Sequence, residues 1–125
     1  MTIHYRHLTE NESNLIRRLI HSGVSDRESL LRAALEGEVK DLEDDDSLFY
    51  KVSDYGSGIH HMIVEAEYED IDGVTATISV HMIDDKLTEV EIWKGDGSRL
   101  AAPIDPERVD VIWPARKGEK GWWEK

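Results

Sequence analysis

Three groups of side chains have the types and spacing to do chemistry. The first is a glutamate pattern, with Glu65, Glu67 and Glu69 alternating in one segment and Glu89 and Glu91 in another. In β-strands such alternation sends every carboxylate of a run to one face. That face attracts cations and basic proteins, and Trp93, two residues beyond Glu91, adds an amphipathic anchor of the kind enriched at interface hot spots. Carboxylate pairs also perform general acid–base catalysis, but only where an apolar setting raises one pKa. A flat solvated face offers no such setting, so binding is the chemistry this group favours.

The second group is histidine. His60 and His61 are adjacent and point to opposite faces of a strand, so they cannot share one ion without distortion. His61 and His81, on neighbouring predicted strands, combine with Glu89 into a two-His, one-carboxylate set that fits a metal or hydrolytic site. The third group is the acidic run from Glu43 to Asp46, close to Glu36, Glu38 and Asp41. It lacks the alternating ligands, central glycine and distal glutamate of an EF-hand loop, so it reads as a solvated turn. Asp44, Asp45 and Asp46 there extend the contact zone open to a basic partner.

Enzyme signatures are missing from the chain. It has no Gly-x-Ser-x-Gly elbow, phosphate loop, His-Glu-x-x-His helix or dinucleotide fingerprint, and no bound cofactor is expected. The 27 Asp and Glu residues against 15 Lys and Arg give a formal net charge of -12, which repels nucleic acid over the whole approach. With no cysteine, thiolate zinc sites and disulfide frameworks are excluded and a reducing compartment is favoured. No apolar run is long enough for a membrane span or a secretory signal, so a cytoplasmic protein is expected.

The elements that must position these groups follow from periodicity. The 125 residues fit one domain with no linker, repeat or low-complexity stretch. Thr9 and Glu12 have capping-box spacing, and Leu15, Ile16, Leu19 and Ile20 form an apolar stripe, predicting a helix over 10–22 that Gly23 ends in the left-handed conformation. Ser25 and Glu28 repeat the box, predicting a second helix over 26–36 with Leu30, Leu31, Ala34 and Leu35 inward and Gly37 closing it.

Beyond Gly37 the signal becomes strand and turn. Two short strands, 39–42 and 48–52, are expected around the acidic turn, although the first segment could instead extend the helix. Segments 59–68, 74–83 and 87–94 read as a meander. Matching their apolar faces sets Val64 opposite Val80 and Val80 opposite Val90, with Ile71, Asp72 and Gly73 as a three-residue loop. On the reverse face Glu65 then faces Ser79 and Glu91, Glu67 faces Thr77 and Trp93, and Ile63 and Glu89 flank His81. Residues 109–113 are a candidate last strand, before a tail over 114–125 that carries Trp122 and Trp123. The predicted fold is α+β, with two N-terminal helices packed on one face of a mostly antiparallel sheet.

With Leu8-Thr9-Glu10-Asn11-Glu12 at the first helix and Trp93-Lys94-Gly95-Asp96-Gly97-Ser98 at the late turn, the chain resembles a group of small uncharacterised bacterial α+β domains. These motifs speak to fold. In general type it is also similar to the immunity proteins of polymorphic and contact-dependent toxin systems, which are small, acidic and free of cysteine. That resemblance implies direct binding to a cognate basic, nuclease-like toxin domain. The expected function is therefore a non-enzymatic inhibitor using Glu65, Glu67, Glu69, Glu89, Glu91 and Trp93, as a monomer or weak homodimer. Two other classes stay open: a small metal- or ligand-binding domain or hydrolase using His61, His81 and Glu89, and a self-associating structural module.

Overall fold

The computed structural model describes residues 4–42, 45–52 and 58–115. Helix α1 spans Glu10–Leu19 and α2 spans Arg27–Glu36. Six strands follow: β1 (Val39–Leu42), β2 (Asp45–Tyr50), β3 (His60–Glu69), β4 (Thr75–Ile83), β5 (Lys86–Lys94) and β6 (Asp110–Trp113). A short 3-10 turn, Pro106–Arg108, precedes β6.

The capping box of α1 forms as its spacing dictates. The Thr9 hydroxyl accepts from the Glu12 amide at 3.2 Å and the Thr9 amide donates to the Glu12 carboxylate at 2.8 Å. The helix stops earlier than its apolar stripe predicts, because the Ile20 backbone leaves the helical region at φ -91°, ψ 71°. Arg27 Nε then donates to the Ile20 carbonyl at 3.1 Å, supplying the donor a further helical turn would have provided. Gly23 consequently lies beyond the helix end and is not its left-handed terminator.

Helix α2 departs from expectation at both ends. Its N-cap is Asp26, held at φ 53° without a side-chain cap, so the Ser25–Glu28 box does not form. Gly37 is extended at φ -70°, not left-handed. Glycine is required there for another reason, since a Cβ would come within 2.8 Å of the Tyr50 ring. The Tyr50 hydroxyl in turn donates to the Ala34 carbonyl at 2.9 Å, tying α2 to β2.

All strand pairs are antiparallel, in the order β1-β2-β5-β4-β3-β6. The meander therefore forms the centre, and β2 and β6 add to its two sides. The first hairpin differs from prediction: Asp45 and Asp46 belong to β2 and not to a solvated turn, and a bulge lies at Asp41/Leu42, while residues 43 and 44 lie outside the described residues. The expected Val64–Val80 and Val80–Val90 pairs form, and Gly73, at φ 83°, takes the left-handed position that closes the β3–β4 hairpin.

Both helices cover one face of the sheet. Leu15, Ile16 and Leu19 of α1, Ile20 at its C-cap and Ala34 of α2 are buried with Val64, Ala66, Ile78, Val80, Val90 and Ile92 in one core cluster. Arg18 Nε donates to the Val109 carbonyl at 3.0 Å, fastening α1 to the approach to β6. Among the described residues no helix is long and apolar enough to cross a membrane.

Candidate functional site

The helix-free face carries the glutamates in the rows that alternation predicts. Glu65 pairs with Ser79, and Ser79 with Glu91; Glu67 pairs with Thr77, and Thr77 with Trp93; Glu69 pairs with Thr75. Glu67, Glu69 and Glu91 are exposed, while Glu65 and Glu89 are half-buried. A central strand of small hydroxyl side chains thus runs between two acidic strands.

Strand β6 extends these rows on the far side of β3. It sets Trp113 opposite Glu65 and Asp110 opposite Glu67. The acidic rows are therefore bracketed by Trp93, 58 % exposed on β5, and Trp113, 39 % exposed on β6. Three strand spacings separate the brackets, roughly 14 Å. The segment containing Trp113 was legible as a strand, but no local signal placed it beside β3. Among the described residues no Lys or Arg forms an ion pair with Glu65, Glu67 or Glu69.

The histidines are arranged differently from the sequence register. A bulge between Met62 and Val64 sets Met62, not Ile63, opposite His81. Glu89 does lie opposite His81 on β5 as expected. The extra residue turns the remainder of β3 over, since side-chain direction has period two. His61 therefore pairs with buried Met82 on the helix side, lining a cleft of about 500 Å³ with Ser29, Leu30, Ile63 and Asp85. His81 and Glu89 lie on the opposite face, so the predicted His61–His81–Glu89 set is not assembled.

The same bulge brings His60 to His81. Their rings lie 5.0 Å apart, with His60 Nε2 and His81 Nδ1 separated by 3.1 Å. On its other side His81 Nε2 lies 3.3 Å from a Glu91 carboxylate oxygen. A carboxylate only accepts, so Nε2 of His81 carries a proton toward Glu91, and in the neutral imidazole Nδ1 is left as the nitrogen that presents a lone pair to His60.

Asp46 does not join the acidic face. It shares the helix side with Leu48, and its carboxylate accepts from the Leu100 amide at 2.8 Å and from Arg99 at 3.2 Å. Asp45 is described only as part of β2, and Asp44 lies outside the described residues, as do Trp122 and Trp123.

Sequence reasoning missed one buried charge cluster. Lys94 follows Val90 and Ile92 on the core side and is 2 % exposed, yet its ammonium donates to Asp70 at 3.0 Å and also to Asp72. Asp70, 1 % exposed, also accepts from the Ala101 amide at 2.7 Å and the Ile71 amide at 2.8 Å. Burial pushes the Asp70 pKa up, but these amides and then Lys94 outweigh it and hold the carboxyl below its ordinary range. Bonding to Asp72, then Asp70, keeps the Lys94 pKa raised against burial. The cluster locks the β3–β4 hairpin tip to the end of β5, fixing the register on which the glutamate rows depend. The visible signal was a lysine at an apolar-face position.

Comparison with known proteins adds a family. A family profile matches residues 5–103. The chain belongs to the DUF6984 family. That family is described as a domain of unknown function. In this DUF6984 chain the matched span contains the five glutamates, Trp93 and both paired histidines, whereas β6 with Trp113 lies beyond it. No curated protein and no solved structure matches the chain.

Proposed function

We propose that this protein is a small acidic binding module whose helix-free sheet face docks a basic protein, and that the partner is the toxin of an immunity pair. The observation that carries this reading is the shared projection of Glu65, Glu67, Glu69, Glu89 and Glu91 on one face that also carries two exposed tryptophans, Trp93 and Trp113. Like charges so close repel one another, and a cationic partner turns that repulsion into attraction. Opposed fields accelerate encounter, while an aromatic anchor inserted at the partner's surface slows release. Nuclease-like domains are basic where they meet phosphate, which suits them to this face. Cover at that position would deny them substrate.

The test uses the product of the adjacent reading frame as the probe, with association measured as ionic strength rises from about 50 to about 500 mM. The on-rate is expected to fall at least about tenfold, and a Glu65→Gln/Glu67→Gln/Glu91→Gln variant to lose both fast association and neutralisation of toxicity. An on-rate independent of salt rejects steering by this face. A probe without toxicity rejects the immunity assignment, even if it binds.

A further inference from the structure

We propose that His60 and His81 form a transition-metal site on the acidic face, taking a borderline divalent cation, Cu²⁺ before Ni²⁺ or Zn²⁺, through His60 Nε2 and His81 Nδ1. The two nitrogens lie 3.1 Å apart. With metal–imidazole bonds of ~2.0–2.1 Å, that separation subtends a nitrogen–metal–nitrogen angle of roughly 95–100°, close to neighbouring positions of a tetragonal or octahedral ion. Binding turns the exposed His60 ring so that its Nε2 presents a lone pair to the ion in place of an N–H, and its proton moves from Nε2 to Nδ1.

The surroundings are those of a ligand and its support. Glu91 holds His81 by Nε2 at 3.3 Å, the carboxylate–histidine arrangement that fixes the tautomer and raises ligand basicity. The backbone is irregular on both sides of His81. The β3 bulge carries His60 to this face, and the β5 bulge between the Glu89 and Leu87 pairings lets Thr88 donate to the His81 carbonyl at 3.1 Å. Bulges are over-represented next to active sites, where they re-aim a side chain. Five glutamates on the same face raise the local concentration of divalent cations.

Among the described residues there is no group of three or more His, Cys, Asp or Glu able to hold a metal. The protein thus supplies two nitrogens and water completes the coordination. Imidazole ligands favour the late first-row metals, with Cu²⁺ bound most tightly.

The experiment titrates the purified full chain with Cu²⁺ alone, by calorimetry and electron paramagnetic resonance. One equivalent is expected, with hyperfine structure from two imidazole nitrogens, absent in His60→Ala and in His81→Ala but kept in His61→Ala. Glu91→Ala is expected to weaken binding by ~10–100-fold. Circular dichroism confirms that each variant is folded, and the nitrogen count on the unaltered protein stands independently of any variant. Absence of a two-nitrogen signal, retention of the equivalent in His60→Ala, or its equal loss in His61→Ala overturns the site.

Discussion

Replacing Glu67 by Gln should make the free protein more stable. Glu67 lies on an extended strand between Glu65 and Glu69, each roughly 7 Å away, and directly opposite Asp110 at about 5 Å. In water each in-strand neighbour repels it by about 0.6 kcal/mol and Asp110 by about 0.8 kcal/mol, together about 2 kcal/mol at low salt. At ~0.15 M ionic strength, with a Debye length of about 8 Å, screening leaves about 1 kcal/mol. For a chain of 125 residues, 1 kcal/mol shifts the melting temperature by about 4 °C. Thermal melts at low and at physiological salt should therefore show Glu67→Gln above the parent, with the gain shrinking by about half as salt is added. Glu38→Gln is the control. Its carboxylate sits 3.6 Å from Lys51, so its loss brings no gain. The same Glu67→Gln change should slow association with a basic partner, because the repulsion it relieves is the field that steers the partner. Melts that fail to rise, or a rise that ignores salt, would refute the electrostatic account of this face.

Two further outcomes follow from the framework beneath the face. Asp70 has a folded pKa below its unfolded one, so its contribution is complete above the ordinary carboxylate range near ~4 and is lost as pH falls through the folded value. Lys94 runs the other way, contributing fully below its ordinary value of ~10.4 and failing as pH rises through its raised one. Asp70→Asn should consequently lower stability at neutral pH and flatten the acid limb of melting temperature against pH; an unchanged acid limb would remove Asp70 from this role. Tyr50→Phe takes the donor from the Ala34 carbonyl in the last turn of α2, where helices run out of backbone donors. The cost should be about 1 kcal/mol, or a fall of about 4 °C in melting temperature, and a melt equal to the parent's would deny the bond its weight.

Alternation from Val64 to Glu69, from Ala76 to Val80 and from Val90 to Trp93 determined which side chains meet the helices and which meet water, because a strand has period two and one face must be apolar. That alone was enough to place Glu65, Glu67, Glu69, Glu91 and Trp93 together, and the Thr9–Glu12 box to start α1. Tertiary structure decided the rest. The bulge at Met62/Val64 inserts one residue and exchanges His61 for His60 beside His81, a parity change that no local pattern announces. Trp113 and Asp110 reached the acidic rows only through the docking of β6 on β3, a contact between residues more than 40 positions apart. Asp46 was drawn away by the Leu100 amide, and Lys94 was buried because Asp70 and Asp72 were folded back to meet it. Local alternation sets the direction of a side chain, whereas its neighbours across the sheet depend on chain closure over long loops, where many pairings compete and only the packed whole selects one.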